Sequence, residues 1–382
     1  MGVTRLVTQP EQLRVDKPTG ANRSLDDFID SRSGGFDVLR LVLAFLVLIS
    51  HSWVLGGFGR EPGSPFGPQI LTLGGFAVGA FFALSGMLVG RSALRRTPAR
   101  FARARAARVL PAYWAALVLS ALVAGTLGWL HEQHRLGGYV GLQAGGPLLY
   151  IVRNALLPID FFHASNGVFA TSTPYGIATG GSWLNGSLWT LPYEVRCYIV
   201  IALLAVVARR FGTRRTIGAA WLVTAAIAVG YHWHEAPVAF TIGDVADAKL
   251  ITLLLIFLSG AMAGIWADRI RLFGIVPAIG LVVALVAGRR SLFFADNIAG
   301  AATAVLVAPA AALLAPFARF LRGVDISYGV YLYAWPIQQL VAMYDITAGP
   351  WMFVLVSAGI TVAVAVASWF VIEQPAMRRW SR

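Results

Sequence analysis

The sequence predicts an all-α polytopic membrane protein: a helical bundle of about ten transmembrane helices with both termini cytoplasmic. Three observations predict it. The chain is 57% hydrophobic and only 13% charged, with a mean hydropathy of +0.69; soluble domains carry about a quarter charged residues. Apolar runs of about 20 residues, enough to cross ~30 Å of hydrocarbon, recur along it. Basic residues gather at the ends of alternate runs, the pattern that orients a polytopic protein.

The runs fall at 36–55, 70–90, 109–130, 187–208, 216–233, 249–266, 273–288, 297–315, 325–343 and 350–371. With the N-terminus inside, only Arg60, Arg135, Arg153, Lys249, Arg289 and Arg290 fall on the outer side; Arg196 lies within a helix and the other Arg and Lys residues are inside. Residues 1–35 read as a flexible cytoplasmic tail, 36–375 as the transmembrane domain and 376–382 as a basic cytoplasmic tail. The first apolar run begins too far from Met1 for a cleaved secretory signal. A single cysteine, Cys197, excludes an internal disulfide. The net charge of +13 does not imply nucleic acid, because the positive residues follow the helix ends and no soluble basic domain is present. No metal is implied.

The first run, FDVLRLVLAFLVLISHSWVL, carries two residues foreign to lipid, Arg40 and His51. Eleven steps at ~100° come to ~1100°, about 20° past three turns, so both lie on one face, ~16 Å apart along the axis. Asp37 sits one turn before Arg40 on nearly the same face. An ionisable residue in a membrane helix marks a functional site by default. The bland alternative for His51 is a satisfied polar residue of the bundle.

The second run, GGFAVGAFFALSGMLVG, is rich in small residues that let a neighbouring backbone approach closely. Ser85 and Gly86 also leave room for an acyl chain or a thin pantetheine arm. The following stretch, RSALRRTPARFARARAARVLPAYW, holds seven arginines, more than orientation needs. Arg105 and Arg108 are one helical turn apart beside the next span. An inner Arg cluster suits a polyphosphorylated ligand such as coenzyme A, since Arg binds phosphate as a bidentate fork; anionic lipid headgroups are the competing partner. Arg103, Arg105, Arg108 and Ser85 are the candidate donor-binding residues.

The outer stretch from His131 to Ser187 is long enough to be functional in its own right. Its run LLYIVRNALLPI, 148–159, reads as a short re-entrant or interfacial helix. Asp160, Trp183 and neighbouring aromatics and amides offer flat faces and polar groups, as a carbohydrate site requires, or else an interfacial aromatic belt. The next run begins SLWTLPYEVRCYIV. Glu194 and Tyr198 stand at i and i+4 and share a face; His51, Arg196 or a substrate hydroxyl are the expected partners of the carboxylate. Trp189, Tyr198, Trp183, Tyr328 and Asp160 are the candidate acceptor-binding residues. In ISYGVYLYAWPIQQL, Pro336 predicts a kink, and IEQPAMRRW closes the last helix at the inner surface.

Together these pieces resemble the acyltransferase 3 family of integral membrane acyltransferases across about 36–375. The resemblance rests on the Arg40-to-His51 pair, FFALSGMLV, RVLPAYW, SLWTLPYE, SYGVYLYAWP and IEQP, in that order. It implies transfer of an acyl group, commonly acetyl, from cytoplasmic acyl-coenzyme A to a hydroxyl of a surface polysaccharide or its lipid-linked precursor, in a bacterial cytoplasmic (inner) membrane. Acetyl-coenzyme A, a glycan acceptor and membrane lipids are the implied partners. By the same analogy His51 is the catalytic base, Arg40 its partner, and Arg105 and Arg108 part of the donor site. Many members carry a His where this chain has Ala334, so any role of that position is missing here. Neutral imidazole suits a general base for a sugar hydroxyl, with Glu194 holding its tautomer or binding the acceptor. The competing readings are a transporter or flippase, whose buried charges and broken helices look alike, and acyl transfer to a small molecule or lipid.

Overall fold

The computed structural model describes residues 23–31, 33–64, 67–140, 145–157, 167–181, 183–233, 248–290, 294–346 and 349–380. Asp160, a candidate acceptor residue, lies outside them, as do Phe161, Phe162, His163 and Asn166. The described chain is an all-α polytopic membrane bundle. In order, α1 is Leu25–Asp30, α2 Gly35–Leu55, α3 Leu73–Arg95, α4 Pro98–Val118, α5 Gly125–Gln133, α6 Pro147–Asn154, α7 Pro174–Thr179, α8 Thr190–Phe211, α9 Thr213–Trp233, α10 Ala248–Ile265 and α11 Ile275–Ala287. A broken stretch follows, with α12 at Gly300–Ala302, α13 at Val307–Leu314 and α14 at Ala318–Leu321; then come α15, Ser327–Met343, α16, Pro350–Ser368, and α17, Gln374–Trp380. Among the described residues six helices are long and apolar enough to cross a bilayer, or seven if the bent pair Asp296–Val305 and Val307–Leu321 is one span. A small antiparallel ribbon, β1 at Gly63–Ser64 and β2 at Gly67–Thr72, hands the chain to α3. There Thr72 caps the helix, its Oγ1 accepting from the Gly75 N–H at 3.0 Å.

Helix extends further than hydropathy alone predicts. α4 starts eleven residues before the expected span, because Thr97 caps the arginine-rich stretch and Pro98 occupies the first turn. A π-helical turn at Leu119–Ala124 joins α4 to α5, and the Tyr139 hydroxyl donates to the Ala121 carbonyl within it at 2.6 Å. The expected flexible tail is structured from Arg23. α1 buries Leu25 and Phe28, the Leu25 and Asp26 amides donate to the Ile270 and Ala267 carbonyls, and Arg91 pairs with Asp26 and Asp30. At the other terminus the helix does not close at Glu373 and Pro375; α17 carries it to Trp380.

Two features fix the bundle. The first is a glycine seam between α3 and α10. A Cβ on Gly86 would overlap the Phe257 carbonyl, and one on Gly260 would overlap the Ala83 carbonyl. Backbones this close gain dispersion contacts along their length, which in lipid is a main source of helix association. The second is a charge cluster at the arginine-rich end. Asp325, just before α15, accepts from Arg108 Nη2 at 2.7 Å and stands 3.9 Å from Arg40. Arg40 also pairs with Asp37 at 2.8 Å, and Arg108 lies 3.6 Å from Glu373. A π-helical turn at Trp369–Glu373 helps aim that last carboxylate inward.

Gly86→Val is expected to abolish folding, seen as loss of the monodisperse peak on gel filtration in detergent. Gly79→Ala, whose new methyl would meet only Ile256 Cδ1 at 3.7 Å, should keep that peak. Asp325→Asn leaves two arginines under-compensated. Their side chains are 23% and 29% exposed, so the loss should sit at the low end of the range for a broken buried pair, about 3 kcal/mol, measured as a fall in thermal midpoint.

Candidate active site

Two polar centres lie along α2. The first surrounds Arg40. α4 presents Arg105 and Arg108 one turn apart toward a cavity of about 290 Å³, which Arg40, Ser85, Glu194, Tyr198, Ser327, Tyr328 and Tyr331 also line. Arg103, two residues from Arg105, points to the opposite, exposed face and does not line this cavity. Arg108 is held from several sides: Asp325 and Glu373 take its charge, and the rings of Tyr328 and Trp369 lie 5.6 and 5.9 Å from its guanidinium carbon. Tyr328 is fixed in turn by donating to the Val109 carbonyl at 3.1 Å. Arg105 makes no such close ion pair among the described residues, and the charge it answers is that of Glu194 in the same cavity. Its guanidinium carbon lies 6.0 Å from the Tyr198 ring centre, and its buried Nε makes no hydrogen bond. A buried guanidinium N–H without an acceptor is costly, and is the kind of orphan that a bound anion satisfies.

Glu194 and Tyr198 meet as their spacing predicts, the phenol donating to the Glu194 carboxylate; the Tyr198 hydroxyl also lies 3.3 Å from Ser85 Oγ. Glu194 thus belongs to the arginine cavity. The sequence placed it with His51, Arg196 or a substrate, but Arg196 stacks on Tyr193, 5.4 Å from its ring centre. Trp189 lines neither centre and instead faces Lys249, whose Nζ is 5.1 Å from its ring centre.

The second centre surrounds His51, near the far end of α2. Its ring packs edge-on against Trp335, with centres 4.9 Å apart, and its buried Nδ1 has no hydrogen-bond partner among the described residues. The carboxylate whose charge reaches it is Glu61, on the segment after α2. Glu61 Oε2 accepts from Ser50 Oγ at 2.9 Å, and Ser50 Oγ accepts from the Gly74 N–H at 2.9 Å. Gln338 donates from Nε2 to the Leu48 carbonyl and to Ser52 Oγ, both at 2.8 Å, locking α15 to α2 beside the imidazole. Trp183 contributes its carbonyl, which accepts from Trp335 Nε1 and Gln339 Nε2 at 3.2 Å each.

Pro336 explains another contact. It has no N–H, so the Leu332 carbonyl one turn back loses its helical donor. Asn185 Nδ2 donates to that carbonyl at 2.9 Å. Next to it Gly186 lies under the Trp335 ring, where a Cβ would clash. Glu61 and Asp325 were missed by sequence reasoning. Asn185 was among the amides of the outer stretch read as a carbohydrate site, and it instead answers the carbonyl that Pro336 leaves unpaired.

The two centres are separate levels of one bundle. Arg40 and His51 are eleven residues apart on α2, about 16 Å. The cavity lining on α3 runs from Val89 to Val78, also about 16 Å, and stops one turn short of Gly74. At its deep end the Tyr331 hydroxyl and Thr190 Oγ1 are hydrogen-bonded at 2.7 Å; Trp335, one turn beyond Tyr331, touches His51.

Residues 33–371 match the model of the family described as an acyltransferase domain. The chain is 29% identical over 367 residues to nodulation protein 10 of Rhizobium leguminosarum bv. viciae, an alignment covering 90% of this chain and 93% of that one. It is 26% identical over 362 residues to an O-acetyl transferase of Shigella phage Sf6, covering 92% and 98% respectively. No solved structure matches it. The match spans α2 to the π-helical turn before α17 and includes the residues of both centres except Glu373: the chain belongs to the acyltransferase 3 family and is a membrane O-acyltransferase.

Proposed function

We propose that the arginine cavity takes the nucleotide and phosphates of an acyl-coenzyme A, that its acyl group is acetyl, and that His51 is the general base for transfer to a hydroxyl of a surface polysaccharide or its lipid-linked precursor. The observation that carries the donor assignment is the buried Arg105 Nε with no acceptor, in a cavity where Arg40 and Arg108 are already compensated. The excess of arginine at this end supports a cytoplasmic orientation for it and for both termini, in a bacterial inner membrane. An extended pantetheine arm matches the ~16 Å between the two levels, so the thioester can meet His51 while the phosphates stay among the arginines.

In the step itself, His51 takes the proton from the acceptor hydroxyl as its oxygen attacks the thioester carbonyl. The new C–O bond forms, the C–S bond breaks, and the coenzyme A thiolate leaves and recovers a proton from the imidazolium. Glu61 stabilises that imidazolium by charge. Tyr175, half-buried close to the same end, gives a flat apolar face of the kind a sugar ring requires. Similarity to the phage O-acetyl transferase supports the acetyl assignment.

Calorimetric titration of acetyl-coenzyme A into purified protein should show saturable binding. Arg105→Ala should weaken it by about tenfold to a hundredfold, the loss of a hydrogen bond to a charged group; silence of well-folded wild type toward acetyl- and longer acyl-coenzyme A would remove the donor assignment. His51→Ala should keep that affinity and lose transfer by about 10²–10⁴-fold, followed as coenzyme A thiol release with a glycan acceptor. Glu61→Gln should lower kcat with the donor KM unchanged, and Glu61→Asp should restore part of it; equal loss in both variants would make Glu61 a merely structural residue.

A further inference from the structure

A second cavity, about 690 Å³, opens between α9, α10, α11 and the broken stretch around α12. It shares no lining residue with the arginine cavity. α10 divides the two regions: Phe257 and Gly260 face the α3 seam, while Leu255, Met262 and Trp266 face this second space. The space is open rather than sealed, and an open apolar groove in a membrane bundle takes an occupant from its surroundings.

Its chemistry selects one. The wall is almost wholly apolar, and its few polar groups are already engaged. Trp221 Nε1 donates to Ser259 Oγ at 2.7 Å, and Ser259 donates to the Leu255 carbonyl at 2.8 Å. Asn297 Oδ1 accepts from Thr252 at 3.1 Å. Apolar cavities of this kind stay dry and take hydrocarbon. On α10 the lining runs from Leu255 to Trp266, about 16 Å, which is half of a ~30 Å bilayer core and thus the depth of one leaflet.

The Trp266 end is cationic. Arg214 lies over the Trp266 ring, 5.8 Å from its centre, and bonds both Asp268 oxygens at 2.7 and 2.8 Å. Those bonds hold the exposed Asp268 carboxyl below the usual carboxylate range. Arg209, Arg210, Arg215, Arg269 and Arg271 are exposed nearby; Asp268 is the one carboxylate in 209–215 and 267–272, and of the α1 carboxylates packed beside that segment Asp26 and Asp30 are paired with Arg91 while Arg23 acts on Asp27. An apolar slot one leaflet deep, opening at a cluster of arginines, matches a single amphiphile with a negative head.

We propose that this cavity is a lipid site, holding one acyl chain of an anionic phospholipid whose phosphate rests among the arginines at the Trp266 end. The lipid buttresses α10 on the face opposite its glycine seam. The site is independent of the donor assignment.

The test uses full-length protein in nanodiscs containing a trace of phosphatidylglycerol with a photoactivatable acyl chain, with labelled peptides mapped by mass spectrometry. Label should concentrate on α9 and α10 peptides carrying Trp221, Leu255 and Met262, saturate at one per chain, and be displaced by unlabelled phosphatidylglycerol better than by phosphatidylcholine. Ala225→Phe with Ala302→Phe, filling the cavity, should lower labelling roughly tenfold, as if about two methylenes lost their apolar surroundings. The wild-type competition decides the matter if that variant does not fold. Non-saturable label spread over lipid-facing helices, equal displacement by phosphatidylcholine, label undiminished in a folded cavity-filled variant, or a photocrosslinked dimer in place of the lipid adduct would each overturn the proposal.

Discussion

Everything at the arginine-rich end of the bundle depends on where Asp325 sits. A guanidinium at membrane depth is tolerated only with a partner, and this chain places Arg40 and Arg108 side by side. Asp325 lies between them, 2.7 Å from one and 3.9 Å from the other. It precedes α15, so the same carboxylate that compensates two helices also sets the depth of a third. Glu373, brought round by a π-helical turn, adds the last helix to the group. The cluster leaves Arg105 outside its close ion pairs, with a buried Nε that no described residue accepts from. Under the proposed donor assignment, that Nε is where the negative guest is held.

The glycine seam acts on the other axis. Gly86 and Gly260 bring α3 and α10 to backbone contact, which leaves α3 little freedom to shift or rotate. α3 also serves both centres, as α2 and α15 do: Ser85 lines the arginine cavity, and the Gly74 N–H holds Ser50, which holds Glu61. The sequence offered two readings of this small-residue helix, tight packing or room for a ligand arm. The structure separates them by face. Gly86 packs, and Ser85 lines a cavity. A stripe of small residues read without its neighbours does not distinguish the two, because what matters is which face meets another backbone.

The bundle itself was legible because hydrophobic run length is a direct consequence of bilayer thickness. Arg40 and His51 on one face, and Glu194 beside Tyr198, followed from helical spacing alone. The early start of α4 was written in the chain as Thr97 and Pro98 ahead of an Ala- and Arg-rich run of good helix formers, but hydropathy sees that run only as polar. Glu61 was not legible. It lies beyond the periodic part of α2, after Gly56 and Gly57, and only the fold of that segment returns it to Ser50. Nor was the role of Trp183, which acts here through its carbonyl rather than its ring. Trp189 looked equivalent in sequence and faces Lys249 instead.

Pro336 shows how one covalent constraint ties distant motifs together. Proline removes the N–H that the Leu332 carbonyl needs, and an unpaired carbonyl inside a membrane bundle must find another donor. Asn185 supplies it. That contact fixes the segment before α8 against the middle of α15, and Gly186 can then lie flat under Trp335. Trp335 in turn takes the Trp183 carbonyl and packs on His51. Two stretches almost 150 residues apart, WLNGSLW and YAWP, are therefore halves of one device. Its product is a histidine held by packing on its ring while Nδ1 is left without a partner among the described residues. A hydrogen bond to a protein carbonyl or carboxylate would hold the ring equally well but would commit Nδ1 to that partner. Packing the ring instead fixes its position and leaves a nitrogen for chemistry.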